Sequence, residues 1–247
     1  MKRDTITFDN GNRAVVVTAG CNTDAQTILK SLEIAQPRAL IMVFGGAKGL
    51  DASRKARLNE LFTDAIAPAA AELGALVIDG GTQSGVMAMM GEAFARDGRG
   101  SQLLGIAPAG KITYPAGPSD GNLVDGTPLE PNHSHFVLVE SDEWGGETGT
   151  MFKLARALNV AVATIVVNGG RIAESEALRS VRNGWPLFVI EGSGRFADEL
   201  SAAARKATLD TSATIKEIAH SDRIILFSID KPPLGLKGEL QQILDAG

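Results

Sequence analysis

Apolar residues are distributed along this chain in two alternating patterns. Short apolar, β-branched runs at residues 14–17, 40–44, 76–78, 103–106, 136–139, 163–167, 187–190 and 224–227 predict strands. Several are continuously apolar, as expected of strands covered on both faces. Between them lie alanine-rich stretches of helical period, which predict helices over residues 24–35, 51–73, 84–96, 148–158, 174–182 and 195–205. This alternation predicts an α/β fold, a three-layer sandwich with a mainly parallel sheet and right-handed crossovers. In open sheets of this kind ligands sit beyond the carboxyl ends of the strands.

The predicted strands run into glycine turns at those ends. The clearest is Asp79-Gly80-Gly81-Thr82-Gln83-Ser84-Gly85-Val86-Met87, where an apolar run passes through a turn into a helix start. Unpaired N–H groups and the helix dipole suit such an end to a phosphate, and Thr82 and Ser84 can cap the helix or bond that phosphate. Related turns stand at Gly45-Gly46-Ala47-Lys48, Trp144-Gly145-Gly146-Glu147-Thr148-Gly149-Thr150 and Glu191-Gly192-Ser193-Gly194-Arg195. Trp144 offers a stacking surface. Glu147 can bond a ribose hydroxyl, serve as a general acid or base, or sit as a helix-start acid favoured by the dipole. Arg195 in a first helical turn opposes the dipole, which makes sense if a phosphate faces it; the plainer alternative is a pair with Asp198.

Residues 107–131 break the rhythm with Pro108, Pro115, Pro118, Pro128 and Pro131 and interspersed glycines. The stretch reads either as an ordered functional flap or as a surface excursion. His133 and His135 follow and, in extended chain, face the same way, with Asp142 and Glu143 as conceivable further metal ligands. Two histidines specify little, so no metal is assigned and a hydrogen-bonded His133 shaping the pocket is the preferred reading.

Composition narrows the class. The chain has 247 residues, 44% hydrophobic and 21% charged, and a single domain over residues 1–247 is expected. A net charge of −5 argues against a general nucleic-acid binder but leaves room for an anionic small molecule. The single cysteine, Cys21, cannot form an internal disulfide. No apolar signal-peptide core opens the chain, and its longest largely apolar stretch, 160–167, is too short to span a bilayer. A cytoplasmic protein without a membrane partner is expected. The dinucleotide fingerprint G-x-G-x-x-G, the P-loop and the G-x-S-x-G elbow are all absent from the expected positions.

Five segments together resemble a known family: Val43-Phe44-Gly45-Gly46-Ala47, the Asp79–Met87 turn, Gly105-Ile106-Ala107-Pro108, Pro131-Asn132-His133-Ser134-His135-Phe136 and Val189-Ile190-Glu191-Gly192-Ser193-Gly194-Arg195. They look like the SLOG fold, in the branch shared by the N-terminal region of TRPM (melastatin-type) cation channels and stand-alone prokaryotic proteins. The resemblance spans residues 43–200. It implies a Rossmann-like sheet, a small-molecule nucleotide ligand of the ADP-ribose or NAD class, and a homo-oligomer. The ligand-binding residues would be Gly45, Gly46, Ala47, Lys48, Gly80, Gly81, Thr82, Ser84, Gly85, Val86, His133, Trp144, Gly145, Gly146, Glu147, Thr148, Gly149, Thr150, Glu191, Gly192, Ser193, Gly194 and Arg195.

The wider superfamily includes LOG-type phosphoribohydrolases, with G-G-G-x-x-G-x-M and P-G-G-x-G-T-x-x-E elements. Residues 80–87 match the first except that Thr82 replaces a glycine. The second is only approximated by residues 144–153, where Lys153 stands in place of the catalytic glutamate. Recognition of ADP-ribose, NAD or a relative is therefore the leading expectation. The alternative is a nucleotide hydrolase cleaving an N-glycosidic or phosphate-ester bond, with Glu147, Asp142 and Glu191 as candidate catalytic groups. A third is an interaction protein that kept the fold without the ligand.

Overall fold

The computed structural model describes residues 1–46, 48–98, 100–115, 126–206 and 211–245. In chain order the elements are β1 (Lys2–Thr7), β2 (Arg13–Ala19), α1 (Ala25–Leu32), β3 (Ala39–Gly45), α2 (Ala52–Leu61), α3 (Ala67–Leu73), β4 (Ala75–Asp79), α4 (Gly85–Asp97), β5 (Leu103–Pro108), β6 (Ile112–Thr113), β7 (Thr127–Pro128), β8 (His135–Val139), α5 (Thr148–Leu158), β9 (Ala161–Val167), α6 (Arg171–Arg182), β10 (Leu187–Glu191), α7 (Arg195–Ala204), α8 (Ala213–Ala219), β11 (Ile224–Ser228) and α9 (Pro233–Asp245). A nine-stranded sheet runs β1-β2-β8-β5-β4-β3-β9-β10-β11. Only β1 pairs antiparallel, so the sheet is the mainly parallel, Rossmann-like one expected.

Alternate side chains of the central strands feed two cores, one on each face. Ala39, Ile41 and Val43 of β3 pack with α3, α4 and α9; Leu40, Met42 and Phe44 pack with α1, α5, α6 and α7. Each of the buried Ile, Val, Leu, Met and Phe side chains among them contributes about 1.5–3 kcal/mol. Phe44, Phe152 and Trp185 stack in series, with centroids 5.9 and 5.5 Å apart. The chain leaves β3 toward β4 on one side and later returns to pair β9 on the other. That reversal of strand order opens a crevice at the carboxyl ends of β3 and β9, where open α/β sheets bind ligands.

Three departures from the sequence reading have local causes. The helix expected over residues 51–73 contains a π turn at Phe62–Ile66. Pro68 lacks the N–H that an α-helix would give to Asp64, and the wider turn lets the helix continue, with Ala67 N–H bonding the Phe62 carbonyl. The first helix stops at Leu32 because Glu33 adopts a left-handed φ of 55°. Strand β1 is exposed except for Ile6, so its sequence carried little apolar signal. Among the described residues no helix is long and apolar enough to cross a membrane.

The proline-rich stretch is pinned at both described ends. Strands β6 and β7 pair in parallel, Leu129 N–H bonds Thr113, Gln83 N–H bonds Pro128, and Glu130 N–H bonds Gly81. Residues 116–125 of the expected flap lie outside the described residues.

Behind this junction sits a buried charged cluster. His133, fully buried, donates from Nε2 to Asp79 Oδ1 at 2.8 Å and from Nδ1 to Glu130 Oε2 at 2.7 Å. Asp79 Oδ1 also accepts Gly81 N–H at 2.7 Å, and Glu130 accepts both the backbone and side-chain N–H of Asn132. Burial opposes the charge on His133, but Asp79 and Glu130 outweigh it and push the pKa up to about 9. The folded protein therefore keeps this proton up to about pH 9, whereas an unfolded histidine releases it near 6.5. The resulting stabilisation is complete below pH 6.5 and is lost as pH rises through about 9.

Two outcomes follow for thermal unfolding. His133→Gln leaves two buried carboxylates facing an uncharged group and costs about 3–5 kcal/mol. Its deficit against wild type is widest below pH 6.5 and shrinks as pH passes about 9; a deficit independent of pH would contradict the charged state. Gly91→Ala drives a methyl group into the Glu130 carboxyl, which its hydrogen bonds hold in place. Overpacking of about 1–3 kcal/mol exceeds the alanine propensity gain of about 1 kcal/mol. The variant is expected to melt below wild type, not above it.

Candidate functional site

The crevice contains a cavity of about 160 Å³ lined by Val43, Gly45, Gly46, Gly80, Thr82, Ser84, Met87, Trp144, Glu147, Met151, Ile172 and Glu176. Its floor is the end of β3, where a side chain on Gly45 would meet the Val167 carbonyl at 2.6 Å. One wall is the turn after β4. Ser84 occupies the N-cap of α4 yet makes no side-chain capping bond, so its hydroxyl is left for the cavity. The opposite wall is the start of α5 with α6 beside it.

Glu147 is 6% exposed and accepts Gly145 N–H through Oε2 at 2.9 Å. Burial raises its pKa. Glu176, also 6% exposed, faces the same space, and the Thr148 hydroxyl lies 3.4 Å from its Oε1. Burial, then the Glu147 charge, pushes the Glu176 carboxyl up to about 8. Glu176 therefore holds its proton at neutral pH, beside the buried Glu147 carboxyl group. Trp144 and Ile172 form an exposed apolar lip, at 46% and 38% exposure.

At the mouth stands Arg195. Its guanidinium hangs over the neighbouring glycines: a Cβ on Gly170 would lie 2.8 Å from Nη2, and one on Gly46 3.7 Å from Nη1. Its backbone is left-handed, φ 47°, a conformation that costs a non-glycine residue about 1–2 kcal/mol. The Arg195 guanidinium makes no hydrogen bond or ion pair among the described residues. The expected alternative partner, Asp198, accepts Gly192 N–H at 2.7 Å instead. Asn168, left-handed at φ 56°, supports this corner by donating from its side-chain amide to the Lys48 carbonyl and from its backbone N–H to the Ser193 hydroxyl oxygen.

The structure brings Gly45, Gly46, Gly80, Thr82, Ser84, Trp144 and Glu147 together around the cavity, with Arg195 at its mouth. Gly81, Gly85, Val86, Gly145, Gly146, Thr148, Gly149, Thr150, Gly192, Ser193 and Gly194 belong to the flanking turns and helix starts without lining it. Lys48 is exposed beside the mouth, and Ala47 lies outside the described residues. His133 sits in the buried cluster and not at the cavity wall. Glu191 is held in a bidentate pair with Arg205, both contacts 2.7 Å, and Asp142 lies exposed against Gly110. Neither reaches the cavity. Lys153 points away from it, donating to the Cys21 carbonyl.

Glu176 escaped the sequence reading. The available signal was a carboxylate on the apolar stripe of a helix, among Ala173, Ala177 and Ser180, all of them buried. Among the described residues no group of three histidine, cysteine or acidic side chains is placed to hold a metal.

Comparison with known proteins places the fold in a family. The family model "SLOG in TRPM, prokaryote" matches residues 38–234. The mouse Transient receptor potential cation channel subfamily M member 2 is 31% identical over 229 residues, covering 77% of this chain and 15% of the channel. The Nematostella vectensis member-like 2 protein is 31% identical over 239 residues, covering 79% and 15% respectively. Human member 6 is 28% identical over 204 residues, covering 70% of this chain and 10% of its own length. The chain thus spans about 15% of the length of the first two relatives, and their channel activity belongs to the whole proteins. With a family model over most of its length and the sheet order and crevice described above, the chain belongs to the prokaryotic branch of the SLOG-in-TRPM family.

Proposed function

We propose that this chain recognises a nucleotide-derived ligand of the ADP-ribose or NAD class in the crevice between β3 and β9. The observation that carries the reading is Arg195: a guanidinium held over Gly46 and Gly170, without a hydrogen-bond or ion-pair partner among the described residues, at the mouth of a cavity at the switch point. A guanidinium fork matches phosphate oxygens in pairs, and the glycines let a phosphate approach the backbone. The left-handed backbone of Arg195 fits this use, because strain of that kind is offset where a side chain must be aimed. Trp144 and Ile172 supply the apolar lip on which a base can rest.

A hydrolase reading has one observation in its favour, the two buried carboxyl groups of Glu176 and Glu147 in one cavity. Against it, Lys153 occupies the sequence position of the superfamily's catalytic glutamate and points elsewhere. Recognition without turnover is the better-supported use.

Calorimetry with ADP-ribose, NAD and AMP on the folded chain tests recognition; no heat from any of them would overturn it. Arg195→Ala is expected to weaken binding by about 10- to 150-fold, the equivalent of a charge-assisted hydrogen bond of about 1.5–3 kcal/mol. Incubation followed by chromatography is expected to return the ligand intact. Turnover that disappears in Glu147→Gln would favour the hydrolase.

A further inference from the structure

Resting on the nucleotide reading, we infer that Glu130 and His133, which lie outside the cavity, are positioning residues for the ligand: they dock residues 127–133 onto the turn after β4 and so hold that turn in its binding shape.

The turn does not hold itself. Between Gly80 and Gly85 two glycines are left-handed, φ 65° at Gly81 and 54° at Gly85, and the Ser84 hydroxyl caps nothing. A glycine-rich run has the most conformational freedom to lose on ordering, so its shape has to be imposed by contacts. Its own contribution is one short bond, from Ser84 N–H to the Thr82 carbonyl at 2.7 Å. Three further contacts come from residues 127–133. Gln83 N–H bonds the Pro128 carbonyl at 2.7 Å, Glu130 N–H bonds the Gly81 carbonyl at 2.9 Å, and Thr82 bridges to Leu129.

Buried charge holds that segment in turn. The Glu130 carboxylate accepts the Asn132 backbone N–H at 2.9 Å, its side-chain amide at 2.7 Å and His133 Nδ1 at 2.7 Å. His133 reaches on to Asp79 Oδ1 at 2.8 Å, and the same oxygen accepts Gly81 N–H at 2.7 Å. The other oxygen, Asp79 Oδ2, is buried without a partner among the described residues. The Asp79 carboxylate thus keeps its orientation through Oδ1 alone, and Gly81 loses this hold if His133 withdraws. Little slack exists to absorb a shift. A Cβ on Gly81 would lie 2.7 Å from Gly105 Cα and 3.0 Å from the Phe136 ring, and His133 stacks on that same ring.

Docking and binding are then coupled in both directions. A ligand that recognises only the ordered turn loses affinity in proportion to the molecules in which the segment is undocked, and a bound ligand keeps the segment docked. Amide hydrogen exchange and calorimetry on wild type, Glu130→Gln, Asn132→Ala and Leu244→Ala test this. Asn132 is half-buried, so its variant folds even if Glu130→Gln does not; Leu244, in the core under α9, is a control for general destabilisation. Without ligand, the Gly81 and Gln83 amides are expected to exchange faster in Glu130→Gln and Asn132→Ala while the Ile41 and Val43 amides of β3 do not. ADP-ribose affinity is expected to fall in these two variants by at least about fivefold, the lower end of the usual coupling between sites. In Leu244→Ala it is expected to stay within about twofold of wild type. Bound to wild type, ADP-ribose is expected to slow exchange at the Leu129 and Glu130 amides, which lie outside the cavity. Unchanged Gly81 and Gln83 exchange in folded Asn132→Ala, or an affinity there within about twofold of wild type, would overturn the positioning role and leave nucleotide recognition standing. Binding of none of ADP-ribose, NAD and AMP to wild type would overturn both.

Discussion

A protonated histidine between two buried carboxylates fixes the geometry on which the cavity depends. His133 ties together Asp79 at the end of β4, Glu130 at the return of the proline-rich stretch, and the entry to β8. Through Gly81 N–H, Asp79 also sets the turn that carries Thr82 and Ser84 to the cavity wall. Buried ion pairs add little net stability over apolar packing of the same volume, because desolvation offsets the attraction. What such a cluster does supply is position. A slipped loop or a shifted turn would leave a charge without its partner, an error of several kcal/mol. The stacking of His133 on Phe136, at 5.4 Å, closes the cluster against the buried apolar group of Ile6, Phe8, Leu129 and Leu138.

From that anchored wall the cavity reads as a gradient of charge. Two buried carboxyl groups lie inside, the Arg195 guanidinium lies at the rim, and an apolar lip stands beside it. Repulsion is as informative as attraction in such a site, since an anion entering the wrong way round faces Glu147 and Glu176. Acidic groups within and a basic one without give a small pocket a preferred direction, although the chain as a whole carries a net charge of −5.

The architecture was legible because its strongest signals are local. Unbroken apolar runs such as Leu40 to Phe44 are too short for helices and end in glycine, which marks them as strands covered on two faces with their turns at the strand ends. Elements with weak local signals were not legible: α9 is interrupted by Gly235 and Gly238, yet Leu236, Leu240 and Leu244 bury one face of it. The site was legible in its backbone and less so in its side chains. Glycine turns announce themselves, whereas partners do not: Asp79 lies 54 residues from His133, and Glu191 finds Arg205 across a helix. Glu176 was hidden because a single acid in a helix ordinarily marks its solvent face. Only the helix's position over β3 and β9 turns it into the cavity.

The pairing of β6 with β7 gives the ligand turn a second support. Ile112 and Thr113 stand beside Thr127 and Pro128, and from there Gln83 N–H bonds the Pro128 carbonyl and Glu130 N–H bonds the Gly81 carbonyl. The turn that carries Thr82 and Ser84 is therefore braced from the chain that leaves β5 as well as from β4, so a substitution that breaks this short ladder would loosen the cavity wall without touching the cavity itself.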